Sequence, residues 1–160
     1  MKEFYRKDLD GVVLAQKAYD ESTEIHSKPS TARGRSLEEI FKVSLYGLSA
    51  EQYLIEKCGF KDDARKYKDV ISPCGNPVEV KVTEGQYYVY HVLKRCCENK
   101  LQAWRNYPDW IFIYTNNKVN DHYVLHNTYK WNGKRFSPCD WENDRSLEED
   151  RKFLENWENV

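Results

Sequence analysis

Leu37, Ile40, Phe41, Ser44 and Leu45 recur at three- and four-residue steps, so residues 37–46 are predicted to form an amphipathic helix. The capping box of Ser36 and Glu39 opens it and Gly47 closes it. Ser49 caps a second predicted helix over 50–58, with Ala50, Tyr53, Leu54 and Cys58 on one face, Glu51 and Ile55 off it, and Gly59 as its C-terminal stop. Tyr90, Leu93, Cys97, Leu101 and Trp104 place a long helix over 86–104, broken by Pro108. An earlier helix is expected within residues 2–20, weakened by Gly11, and His26 to Arg35 reads as a polar loop.

Elsewhere the period is two. Val78-Glu79-Val80-Lys81-Val82 alternates strictly, which describes a strand with three valines on one face and Glu79 and Lys81 together on the other. Residues 67–72 form a second strand candidate, and Pro73-Cys74-Gly75 between the two fits a three-residue hairpin loop with a bulge. In that register Ser72 faces Asn76, and Asp69 falls opposite Glu79. The continuous apolar run Trp110–Tyr114 predicts a strand covered on both faces. Asn116-Asn117 is expected to turn the chain, 122–131 to form another strand, and Asn132-Gly133 to lead a hairpin into Lys134, Arg135 and Phe136. A terminal helix is expected over 146–157, carrying Leu147, Phe153, Leu154 and Trp157. The sum is an α/β (α+β) chain in a single domain, residues 1–160, with a central mixed sheet flanked by helices and a core at about 36–136.

Composition narrows the class. A chain of 160 residues buries a core without disulfides or a structural metal. No apolar run approaches the ~20 residues of a membrane span, and residues 1–20 lack the apolar stretch of a signal peptide, so neither a membrane nor a secreted protein is expected. The five cysteines, with an adjacent pair and no CxxC spacing, read as reduced thiols in a cytoplasmic compartment. The net charge of -1 conceals an acidic segment from Asp140 onward, at -5, on a body at +4. Twelve tyrosines are enough to stack on bases or sugars as well as to fill a core.

The chemistry centres on Asp69 and Glu79-Val80-Lys81. Two adjacent carboxylates repel, so either their proton affinity rises or a divalent cation sits between them. Beside them an ammonium can orient a water whose pKa the cation lowers, an arrangement that serves phosphodiester hydrolysis. One helix face and two strands would converge on this carboxylate cluster.

An ExK triplet alone is an ordinary solvated strand face, and the order around it is what gives it weight. Gly47-Leu48-Ser49-Ala50-Glu51-Gln52-Tyr53-Leu54, then Cys58-Gly59-Phe60, Lys68-Asp69-Val70 and Val78–Val82 resembles the PD-(D/E)xK nuclease superfamily, of restriction-endonuclease-like and junction-resolvase-like fold. The resemblance covers about residues 47–115. It implies a restriction-endonuclease-like core and a DNA endonuclease dependent on Mg²⁺, for which Mn²⁺ can substitute. Asp69 and Glu79 would be metal ligands, with the Val80 carbonyl facing the metal. Lys81 would position the water, and Glu51 would be a ligand or an outer carboxylate. One site per small domain implies a homodimer or two successive nicks for double-strand cutting. Only eight residues separate Phe60 from Asp69, so the first core strand is expected to be very short or irregular.

DNA contacts are expected from Arg33 and Arg35 in the polar loop and from Lys94 and Arg95, with Lys100 and Arg105, on the long helix, near Tyr87, Tyr88 and His91. His122 and His126, like Cys96 and Cys97, are assigned to packing or surface roles. The alternative is a module of the same fold that binds nucleic acid or protein without cutting.

Overall fold

The computed structural model describes residues 1–63, 69–103, 106–117 and 119–144. Its sheet is organised around β5 (Trp110–Asn117), whose first five residues are at most 2% exposed, as expected of a strand covered on both faces. Parallel to it runs β4 (Pro77–Thr83), and antiparallel to it runs β6 (His122–Trp131). Beyond β4 lie β3 (Val70–Ile71) and β2 (Lys61–Asp62), both antiparallel to their neighbours and two residues long. On the far side β6 pairs with β1 (Glu3–Tyr5) and, further along, with β7 (Phe136–Pro138). The chain is therefore a single mixed α+β domain, with a seven-stranded mixed sheet flanked by helices. Among the described residues no helix is long and apolar enough to cross a membrane.

The N-terminal segment departs from expectation. Residues 2–20 do not form one helix: β1 and a 3-10 turn at Arg6–Asp8 come first, and α1 spans Gly11–His26. Asp10 accepts the N–H groups of Val12 and Val13, so Gly11 sits at a capped helix start, where its weak propensity costs little. Phe4 holds β1 in place by stacking between Tyr53 and Tyr123 at centroid distances of 4.3 and 4.6 Å. Within the polar loop a single helical turn, α2 (Pro29–Ala32), starts at a proline.

The two helices expected over 37–46 and 50–58 are one, α3 (Leu37–Cys58). Ser36 caps it and Gly59 ends it in the left-handed conformation, as predicted, but Gly47 does not interrupt it. Ser49 does not cap a new helix either; its hydroxyl donates back to the Leu45 carbonyl within α3. The buried stripe of Ile40, Ser44, Ala50, Tyr53 and Leu54 continues across Gly47, and packing on α1 and β4 outweighs the local propensity.

Val78 and Val80 pack with Ala50 and Leu54 on the α3 side of the sheet. The opposite face is closed by α4 (Val89–Ala103), preceded by a 3-10 turn at Gln86–Tyr88. Val89 and Cys96 meet Ile111 and Ile113 there. The expected stripe on α4 is rotated: Val89 and Cys96 are buried, whereas Tyr90 and Leu101 are exposed. Asn116 and Asn117 belong to β5, and the turn falls at residues 119–121. Trp104, Arg105, the first residues of the predicted strand at 67–72 and the expected terminal helix at 146–157 lie outside the described residues. All five cysteines are free thiols.

Candidate metal centre

The hairpin that carries the ExK triplet forms in the predicted register. The Ser72 N–H donates to the Asn76 carbonyl at 2.9 Å, Val70 pairs with Val78 and Ile71 with Pro77, so the next step brings Asp69 beside Glu79. Gly75 takes the left-handed conformation the loop requires, at φ +90°. At Asp69 the strand ends and the carboxylate takes over its ladder role: Oδ2 accepts the Val80 N–H at 2.8 Å. Side-chain alternation on β4 sets Glu79 and Lys81 on the face of Ile111 and Ile113, and Lys81 Nζ lies 3.0 Å from Glu79 Oε1.

These groups open onto a cleft of about 670 Å³ between α1, α3 and the end of β4. Glu51 from the middle of α3 lines it with Asp69, Glu79, Val80 and Lys81. The four predicted catalytic residues and Val80 are therefore together. Glu21 joins them from α1, which runs six residues beyond the predicted end at residue 20. The signal was present: Leu14, Ala18, Glu21 and Ile25 follow helical steps, and a carboxylate on such a stripe marks a polar site against the core.

Four of the carboxylates on this cleft, Glu21, Glu51, Asp69 and Glu79, are raised above their ordinary values. Burial, then the Asp69 charge, raises Glu79 to about 7. Burial followed by Asp69, Glu21 and Glu79 pushes Glu51 well above the usual carboxylate range. Glu21 is raised by the wall around it, against a hydrogen bond with Ser44 that lowers it. Asp69 is raised by burial too, but the Val80 N–H, Lys81 and hydrogen bonds from the Glu79 and Glu51 carboxyls oppose the shift. Burial works to lower Lys81, yet Glu79 outweighs it and the ammonium ends above its ordinary value.

A divalent cation suits this donor set. Glu79 is 7% exposed, and its Oε2 is buried with no hydrogen-bond donor. An orphaned carboxylate oxygen of this kind is costly unless a proton or a cation reaches it. Among the described residues no three His, Cys, Asp or Glu side chains already stand at coordinating positions. Asp69 Oδ2 is turned to the Val80 N–H and Glu79 Oε1 to Lys81. Hard oxygen donors of this type favour Mg²⁺ or Mn²⁺ over softer ions.

The expected DNA contacts are not at the cleft wall. Arg35 bonds the Thr31 and Ala32 carbonyls at the end of α2, and Arg33 is exposed there in a left-handed conformation. Lys94 and Arg95 are exposed on α4, whereas Lys100 is engaged by the Tyr107 carbonyl and Asp109. Comparison with protein-family models and with curated proteins gives no match for this chain.

Proposed function

We propose that the chain is a metal-dependent endonuclease that hydrolyses phosphodiester bonds in DNA, with a core of restriction-endonuclease type. The observation that carries this is the juxtaposition of Asp69, Glu79 and Lys81 in an open cleft, with one buried Glu79 oxygen left without a donor. Further support comes from the succession α3, short hairpin, ExK strand, α4 and apolar β5, the order that the resemblance to PD-(D/E)xK nucleases implies.

Asp69 and Glu79 would hold the Mg²⁺, with Val80 beside them and Glu51 as an additional carboxylate. When bound, the cation supplies charge neutralisation at the phosphate and acidification of water. Lys81, kept protonated by Glu79, orients the attacking water and offers positive charge to the phosphate oxygens in the transition state.

Purified protein incubated with supercoiled plasmid, linear duplex and branched DNA, with and without Mg²⁺, tests the reading. Cleavage should require the metal. Lys81→Ala should retain DNA binding and abolish cleavage; an unchanged rate removes this site from consideration.

A further inference from the structure

Tyr87, Tyr88 and Tyr90 stand out of the surface at 81%, 52% and 71% exposure, where β4 hands over to α4. They are not scattered. Tyr87 and Tyr88 meet edge to face with centroids 5.3 Å apart, and His91 lies 6.3 Å from Tyr87 and 5.8 Å from Tyr90. Steps of three and four residues carry the row on to Lys94 and Arg95, both exposed. The opposite face of α4 supplies its packing through Val89 and Cys96, so the rings are not needed to hold the helix in place.

The row begins a few residues along the chain from the cleft. Glu84 lines the cleft wall, and Tyr87 is three residues further on, within about 11 Å along the chain. Six carboxylates against two lysines line the cleft, an excess of acidic groups that disfavours a bare phosphodiester, so contacts outside it would add to the affinity for a nucleic acid. Exposed aromatic faces followed by two cations match a chain of bases on a phosphate backbone, whereas a neutral peptide would make no use of Lys94 and Arg95.

We propose that Tyr87, Tyr88, Tyr90 and His91 form a stacking platform for the unpaired bases of single-stranded DNA, with Lys94 and Arg95 taking the backbone phosphates. Resting on the nuclease reading, this narrows the substrate to DNA with an unpaired strand beside the cut, such as a flap, a fork or a single-stranded end. Duplex bases present no faces to the rings and would bind the platform weakly.

Fluorescence anisotropy with a labelled oligo-dT of about 15 nucleotides, the span of a stacking groove, and a blunt duplex of equal length decides it, with a chelator present to prevent turnover. The single strand should bind more tightly than the duplex. Tyr87→Ala and Tyr90→Ala should each weaken it about tenfold, while Tyr87→Phe keeps the affinity. Lys94→Ala should lower the salt slope by about 0.7. Affinity unchanged in the double alanine variant, with native circular dichroism, overturns the platform, as does a tyrosine dependence found for self-association and not for DNA. Plasmid cleavage by the same preparation in Mg²⁺ is scored separately. Cleavage without tyrosine-dependent binding removes the platform alone, and tyrosine-dependent binding without cleavage removes the nuclease reading alone.

Discussion

Asp69 accepts the backbone N–H of Val80 at the point where β3 leaves β4, so one carboxylate both closes the sheet and faces the cleft. The two roles separate by substitution. Asp69→Asn keeps an oxygen for the Val80 N–H and should fold with near-normal stability. Asp69→Ala leaves that N–H without a partner and should cost about 1–3 kcal/mol. Both variants should lose affinity for Mg²⁺ or Mn²⁺ in calorimetric titration, because both lack the anion. Equal denaturation midpoints for the two would show that the hydrogen bond contributes nothing.

Glu79 makes metal-free stability depend on pH with a definite sign. Its pKa rises on folding from 4.5 to about 7. Between those values the folded protein binds more protons than the unfolded chain, so stability falls as pH rises through the window. At about 1.4 kcal/mol per unit, the ceiling is on the order of 3 kcal/mol. Urea midpoints of the chelated protein should drop from pH 5 to pH 8, and Glu79→Gln should flatten the profile and raise stability at pH 8. A midpoint that rises with pH in the wild type would contradict the buried carboxylate cluster.

Glu51 is under the same pressure from Asp69, Glu21 and Glu79. Glu51→Gln removes one of the repelling charges, so the chelated protein should melt at a higher temperature at pH 8. If Glu51 is a ligand, that gain reverses in excess Mg²⁺, where the wild type gains more from binding. Thermal melts of both proteins, with chelator and with metal, give the comparison.

What could be read from the sequence was local. The strand at residues 122–131, the strict alternation around Glu79 and the Pro73–Gly75 loop all rest on period-two patterning or turn chemistry, and each formed where expected. The adjacency of Asp69 and Glu79 followed from register arithmetic alone. The features not legible depend on distant partners. β1 is three residues long and exists because β6, more than a hundred residues later, offers it an edge. Glu21 joins the cleft because α1 lies along α3, and the buried face of α4 is chosen by Ile111 and Ile113 on the sheet and not by its own largest side chains.

Gly47 tests how far packing overrides propensity. It lies inside α3, where an added Cβ would meet nothing within 4 Å. Gly47→Ala should stabilise the protein by about 0.5–1 kcal/mol. The corresponding rise in melting temperature is about 1–4 °C for a chain of this size. A fall would mean that α3 needs a flexible residue beside the cleft.

Gly75 is the opposite case, because its φ of +90° is one that side chains resist although open space surrounds it. The cost there is conformational and not steric, so it should follow backbone preference rather than residue size. Gly75→Ala should lose about 1–2 kcal/mol, and Gly75→Asn, whose side chain tolerates left-handed geometry, less. The loop also sets the register that brings Asp69 beside Glu79. Metal affinity should therefore fall in the same order as the urea midpoints, alanine below asparagine below glycine. A stability loss with undiminished metal affinity would show that Asp69 and Glu79 are held together by α3 and not by the hairpin.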